Sequence, residues 1–410
     1  MSCCDSSAKC SACGTVKNFI FIGLAALPAV ALGQWVLSSP NCADFSGNEY
    51  VHELCKMGTD SPVVFVNAVT FISMVWFWLL SLVQGSCWLI DLYWTVIPLM
   101  IAAFYKLHSH STAPWIFPTA VHPDFTDPCA CLSHCMTNIM VNLTDSRFLR
   151  SNIALVLLCV WSARLTHSYL RREFAAGILG HREDWRFTDM RRSLGAPMWA
   201  VVSLFYAYLS QHVLLVGITL PFFVIHHDTT LAAIPFGIWD ICTLGMAFFG
   251  ILFAARADAE LYAYAQASLG RRYLGMKSYA ILDTGLWAFT RHPNYFGECM
   301  WWGALSLGYG FCVFFHAGAD IATAPVWIIA GWAINTIVMV LSIQMIEKRM
   351  TTAPVDASAS AGPSGAGDII PKYQAYRYYR EYTAFLVPFF NSRDTYLCNI
   401  KQHYKNSKSN

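Results

Sequence analysis

The sequence is short of charge. Asp, Glu, Lys and Arg make up 13% of its 410 residues, where soluble domains average about 25%. That deficit argues against an ordinary water-soluble fold. A net charge of +2 leaves no strongly basic face of the kind that binds nucleic acid. There is no soluble-type dinucleotide fingerprint and no P-loop. The one Gly-Xaa-Gly pair of note, Gly308-Tyr309-Gly310, lies inside an apolar run, where packing explains it. A nicotinamide nucleotide would therefore be bound without a Rossmann domain. The N-terminus is rich in Cys and Ser and has no cleavage-type site after a short apolar core, so it does not read as a signal peptide. No repeat recurs at a solenoid period.

What is there is apolar and aromatic. Hydrophobic residues make up 56%, with 15 Trp and 27 Phe, which predicts a polytopic all-α membrane bundle. A span needs about 20 mainly apolar residues. Eight stretches qualify: 18–37, 62–83, 87–106, 151–170, 197–225, 231–255, 299–316 and 325–346. The fifth is long and contains Gln211, His212 and Pro221, which predicts a tilt, a kink or a partly interfacial course.

Lys and Arg orient the set. The segment 171–196 carries Arg171, Arg172, Arg182, Arg186, Arg191 and Arg192. The segment 256–298 carries Arg256, Arg271, Arg272, Lys277 and Arg291, and the tail adds Lys348, Arg349, Lys372, Arg377 and Arg380. The alternate loops, 226–230 and 317–324, have neither Lys nor Arg. The expectation is that both termini are cytosolic, with 38–61 and 107–150 luminal.

Fifteen cysteines in a chain this long do not make a disulfide scaffold. An oxidising lumen would allow bridges among Cys42, Cys55, Cys129, Cys131 and Cys135. His134 lies between the last two, but the spacing is not a standard finger pattern, so disulfide or free thiols are favoured over zinc. The sequon Asn142-Leu143-Thr144 lies close to the next apolar run. Cys3, Cys4, Cys10 and Cys13 allow S-palmitoylation or zinc. A tail with no assigned role is the plainer reading. Residues 351–368 read as a low-complexity linker.

Five groups could carry chemistry. The first is Arg291-His292-Pro293-Asn294-Tyr295-Phe296-Gly297-Glu298, a titratable turn just before an apolar run. Headgroup anchoring accounts for Arg291 and Tyr295. It does not account for His, Asn and Glu in the same turn, so function is preferred. The second is His181-Arg182-Glu183-Asp184-Trp185-Arg186-Phe187 with Arg191 and Arg192, suited to a polyanion but also an ordinary positive-inside loop. The third is Arg256-Ala257-Asp258-Ala259-Glu260, whose two carboxylates cannot share a helix face. The fourth comprises Asp91, Arg164, His167 and Asp240, intramembrane groups expected to pair; Asp91 with Arg164 is one plausible pair. The last comprises Glu347, Arg349, Lys372, Tyr373, Tyr376 and Tyr379.

These residues carry a resemblance. Gly285-Leu286-Trp287, then Arg291 to Glu298, then Trp301-Trp302-Gly303 resembles the signature of the steroid 5-alpha-reductase C-terminal family, closest to its uncharacterised branch. Asp91-Leu92-Tyr93-Trp94 with Pro98, Trp161 to Leu165, Glu183 to Phe187, and Tyr376 with Thr383 to Pro388 look like further landmarks, so the resemblance covers about 85–390. It divides the chain into a tail at 1–17, an accessory region at 18–84, the reductase-like domain at 85–390 and a polar tail at 391–410.

The resemblance implies an endoplasmic-reticulum protein that uses NADPH to reduce a carbon–carbon double bond in a sterol, steroid or related lipid. Carried over by motif, Arg291, His292, Asn294, Tyr295 and Glu298 would line the cofactor, with Glu183, Arg186, Asp258 and Tyr376 as neighbours. Tyr295, Glu298 and His292 are the catalytic candidates, and no metal is implied. The chain departs from the family at Phe253-Ala254, where Phe-Glu is usual, and at Glu260, where Gln is expected. Isoprenylcysteine and phospholipid methyltransferases share the Arg-His-Pro-x-Tyr-x-Gly turn, with S-adenosylmethionine. Glu298 and the Glu-Asp-Trp-Arg loop favour the reductase side. A non-catalytic lipid-binding protein is the third expectation.

Overall fold

The computed structural model describes residues 4–37, 42–109, 146–175, 179–180, 183–274, 281–316, 327–352 and 372–388. Cys129, Cys131, His134, Cys135, the Asn142 sequon, His181, Arg182, Lys277, the bulk of the linker and the tail after 391 lie outside them. Among the described residues the structure is helical, and the one β-type pairing is an isolated parallel bridge between Thr290 and Ala384.

In chain order the helices are α1 (Cys4–Leu37), α2 (Glu49–Asp60), α3 (Pro62–Gln84), α4 (Trp88–Tyr93), α5 (Ile97–Ser109) and α6 (Ser146–Ala175). They continue with α7 (Trp185–Leu194), α8 (Ala196–Ser203), α9 (Ser210–His227), α10 (Thr229–Ala233) and α11 (Ile238–Tyr273). The last three are α12 (Pro293–His316), α13 (Trp327–Thr351) and α14 (Lys372–Tyr382).

Local chemistry sets many of the ends. Pro62 opens α3, where its missing N–H is no loss, and Gly85 closes it at φ +69°. Asn48, Asp184 and Asp228 cap α2, α7 and α10 by accepting backbone N–H bonds from Val51, Arg186 and Leu231.

Six helical stretches are long and apolar enough to cross a membrane: Lys17–Leu37, Pro62–Gln84, Leu149–Phe174, Ala196–His227, Ile238–Tyr273 and Trp327–Thr351. The chain is an integral helical membrane protein. Two of the eight expected spans are not in that set. The stretch 87–106 is broken into α4 and the 13-residue α5. Pro98 cannot donate to the preceding turn, so the helix restarts there, and α5 rises only about 20 Å. The stretch 299–316 belongs to α12, which begins six residues earlier because Pro293 suits a helix start.

The fifth stretch is one helical course over 196–227 with a π-helical turn at Leu204–Leu209. The sixth runs far past its expected end at 255. With neither Gly nor Pro between Ile251 and Leu269, α11 continues to Tyr273, about 54 Å in all. A hydrocarbon core of about 30 Å covers only part of it, so the end bearing Arg256, Arg271 and Arg272 projects beyond the apolar layer.

The described residues fall into two compact units. One comprises 1–244 and 305–332, the other 245–304 and 333–410. In the first unit α5 packs on α9, and α1 on α3. Cys42 and Cys55 form a disulfide that ties the segment before α2 to that helix. Asp240 is paired as an intramembrane charge should be, but with Arg150, just outside the expected span. Arg150 bonds both carboxylate oxygens, Nε at 2.5 Å and Nη2 at 2.9 Å, and the Leu231 and Ile234 carbonyls. In the second unit α11 and α12 cross at glycines. A Cβ on Gly297 would lie 2.6 Å from Ala254 N and 2.7 Å from Gly250 O.

Candidate functional site

The turn before α12 is held from both sides in the second unit. Thr290 and Ala384 form the backbone bridge, and Arg291 N–H donates to Ala384 O at 2.9 Å. Thr290 Oγ1 donates to Leu386 O at 2.8 Å. Tyr379 OH donates to Trp287 O, and Trp287 Nε1 donates to Ala257 O at 3.1 Å. The segment 372–386 is thereby fastened over the turn.

At the centre is Glu347, near the C-terminal end of α13. Arg291 Nε donates to its Oε1 at 2.7 Å, and His292 Nε2 lies 3.0 Å from the same oxygen. Tyr376 OH donates to it at 3.4 Å, and Arg380 Nε lies 3.4 Å from the other oxygen. The remaining Arg291 donors reach Glu347 Oε2, Arg380 O and Thr383 O. Arg291, His292 and Glu347 are all buried. Burial, reinforced by the Glu347 charge, pushes the Tyr376 phenol above its ordinary range.

Beyond this cluster the turn is more open. Asn294, Tyr295 and Glu298 are half-buried. Asn294 Nδ2 donates to Asp258 Oδ1 at 3.2 Å, while Asn294 Oδ1 is buried with no hydrogen-bond partner. Asp258 and Glu260 diverge as their spacing requires. Glu260 takes Arg256 Nε at 2.8 Å and Leu286 N–H at 2.9 Å. Gly285 permits the second contact: its φ is +62°, and a Cβ there would collide with the Glu260 carboxylate.

The structure thus brings Arg291, His292, Asn294 and Asp258 together with Glu347 and Tyr376. It also divides them. Arg291 gives four side-chain N–H groups to the protein and His292 Nε2 meets Glu347, whereas Asn294 keeps an acceptor to offer. The sequence marked Arg380 as a tail charge and Thr383 as the start of a landmark stretch, but not that their carbonyls complete the Arg291 cage; backbone acceptors leave no residue signature. It also missed Asn335, buried on α13 with Nδ2 unpartnered among the described residues. The signal was legible, an amide inside an apolar run.

Glu183 and Arg186 lie in the first unit in a network of their own. Glu183 Oε1 accepts from Cys87 N–H at 2.6 Å and from Arg191 Nη2 at 2.7 Å, so it caps α4. Asp184 accepts from Arg186 Nε at 2.9 Å and Nη2 at 2.7 Å. Burial acts to raise the Asp184 carboxyl, but the bonds and charge of Arg186 outweigh it and hold the group below its ordinary value. Asp91 is half-buried, and the leading charges on it are those of Asp184, Arg186, Glu183 and Arg172.

A family model described as "Protein of unknown function (DUF1295)" matches residues 124–358, more than half of the chain. The chain is also similar to a Schizosaccharomyces pombe protein described as "Uncharacterized protein C594.04c". The two are 26% identical over 169 residues, which is 37% of this chain and 46% of that protein. The match therefore covers about half of that relative's length. No solved structure matches.

Proposed function

We propose, for a chain that belongs to the DUF1295 family, NADPH-dependent reduction of a carbon–carbon double bond in a sterol, steroid or related lipid within the membrane. The observation that carries this reading is the Asn294 side chain. It gives its N–H to Asp258 and keeps a buried, unpartnered oxygen on a turn fixed by the Arg291–Glu347 pair. A carboxylate beside an orphan acceptor suits a ligand rich in hydroxyl and amide donors, as the ribose and carboxamide of a nicotinamide nucleotide are.

Asn294 and Asp258 would hold the nucleoside part. Four of the five Arg291 side-chain N–H groups are bonded within the protein, so its assignment becomes the positioning of the turn, shared with His292. Glu183 and Arg186, closed into ion pairs within the first unit, are assigned in the same way to holding their loop. Tyr376 closes the Glu347 cluster. When bound, the reduced nicotinamide supplies a hydride to one alkene carbon. Tyr295 and Glu298 are the groups proposed to supply or relay the proton taken by the other carbon. The endoplasmic reticulum, with both termini cytosolic, is the proposed setting. Two features support that orientation: the clustered Lys and Arg, and the Cys42–Cys55 disulfide, which suits an oxidising compartment on the opposite side.

The test is ligand-dependent stabilisation of purified full-length protein in detergent. NADPH at 100 times its Kd should add about 2.7 kcal/mol. Stabilisation by S-adenosylmethionine and not by NADPH would replace the reading with methyl transfer. A response to neither would favour a non-catalytic lipid-binding protein.

A further inference from the structure

Helices α1 and α3 and the α4–α5 pair wall a cavity of about 350 Å³ within the first unit. Its lining lies between residues 25 and 107, wholly outside the span matched by the family model. The cavity exists because α1 presents small side chains, Ala25, Ala29 and Gly33, to the bulky Phe65 and Phe104 opposite. At Gly33 an added Cβ would meet nothing within 4 Å.

Three features define what would fill it. First, the medium is hydrocarbon. Both α1 and α3 contain spanning segments, and their outer faces expose Leu27, Phe71 and Ile72. An apolar void beside lipid forfeits dispersion contacts that a lipid supplies. Second, the space is long. The lining runs from 25 to 37 on α1 and from 65 to 77 on α3, about 18 Å along each helix axis. An extended body fits; a compact one does not. Third, the lining includes no charged residue, and its one amide, Gln34, is an exposed residue near the end of the span, at the mouth of the space, and forms no hydrogen bond with a described residue. A neutral head with a hydroxyl would satisfy both donor and acceptor of that amide.

We infer that this cavity binds a neutral membrane lipid with one extended apolar body and a single hydroxyl, a sterol or a long-chain alcohol, with the hydroxyl at Gln34. The inference is independent of the reductase reading, because occupancy is measured with no cofactor present.

Photoreactive sterol and photoreactive long-chain alcohol probes, each with a hydroxyl-free analogue, are applied to the full chain in phosphatidylcholine-containing micelles. Labelled peptides are mapped by mass spectrometry. Labelling by at least one hydroxyl probe should concentrate in 25–37 and 65–77, and the stronger probe identifies the lipid class. Ala29→Phe, which fills the space, should remove most of it. Gln34→Leu should weaken labelling by the hydroxyl probe about fivefold, the effect of one neutral hydrogen bond, and leave the hydroxyl-free analogue unaffected. Gln34→Leu keeps an apolar side chain of similar size on an apolar helix, so it serves even if Ala29→Phe does not fold. Labelling spread evenly over all lipid-facing helices, or labelling by the hydroxyl probes that Gln34→Leu leaves unchanged, overturns the inference.

Discussion

Arg291 Nε donates to Glu347 Oε1 at 2.7 Å, and the two side chains are 9% and 7% exposed. This buried pair joins the turn before α12 to the end of α13. The same guanidinium holds the Arg380 and Thr383 carbonyls, so the pair also fastens the segment that begins with α14.

Breaking one side of that pair should therefore cost more than removing both. Glu347→Ala leaves Arg291 buried and uncompensated, and about 3–5 kcal/mol of stability should be lost. Arg291→Met with Glu347→Leu should recover most of that loss. Thermal unfolding in detergent gives the comparison. Hydrogen exchange at 372–386 should rise in the single variant. A double variant no more stable than the single one would show that the pair is not the fastening element.

Asn294 and Arg291 should separate binding from stability. Asn294→Ala removes the orphan acceptor at a half-buried position and should abolish stabilisation by NADPH while leaving the unliganded midpoint nearly unchanged. Asp258→Asn should weaken it. Arg291→Ala should lower the unliganded midpoint first. Full NADPH stabilisation of Asn294→Ala would remove that residue from the site.

Gly297→Ala places a methyl 2.6 Å from Ala254 N and 2.7 Å from Gly250 O. Backbone cannot rotate away as a side chain can, so α11 and α12 must separate. Overpacking of this kind costs about 1–3 kcal/mol or more. Thermal midpoints should fall for Gly297→Ala and not for Gly270→Ala, where nothing lies within 4 Å.

The Cys42–Cys55 bridge closes a short loop with a sequence separation of 13. By loop entropy alone, Cys42→Ser should cost about 3 kcal/mol. Reducing agent should lower the midpoint of the natural protein and leave that of the variant unchanged.

Asp184 is held below its ordinary carboxyl range by Arg186. Its contribution is complete above the unfolded value and is lost as pH falls through the lower folded value. In Arg186→Ala, burial remains without its counterweight, so the folded value moves up towards the unfolded one and the loss on acidification should shrink. Midpoints measured across the acid range provide the comparison. Asp184→Ala should cost about 1 kcal/mol through the lost cap.

Much of this was legible in the sequence, because composition and periodicity are local properties. The scarcity of charge determined a membrane protein. Runs of apolar residues located six helices that can span. Pro293, with the polar residues after it, marked the start of α12 as unusual ground. The expectation of an intramembrane partner for Asp240 was sound in kind. Pairing, however, depends on which distant residues meet. Only the tertiary structure chose Arg150 for Asp240, Asp258 for Asn294 and Glu347 for Arg291, and only the fold could show that Arg291 spends four of its five side-chain donors on the protein. A guanidinium on a polar turn looks the same in sequence whether it will grip a phosphate or a carboxylate on another helix. The difference lies in the geometry of the guanidinium donors against fixed acceptors, two of them backbone carbonyls that belong to no residue type.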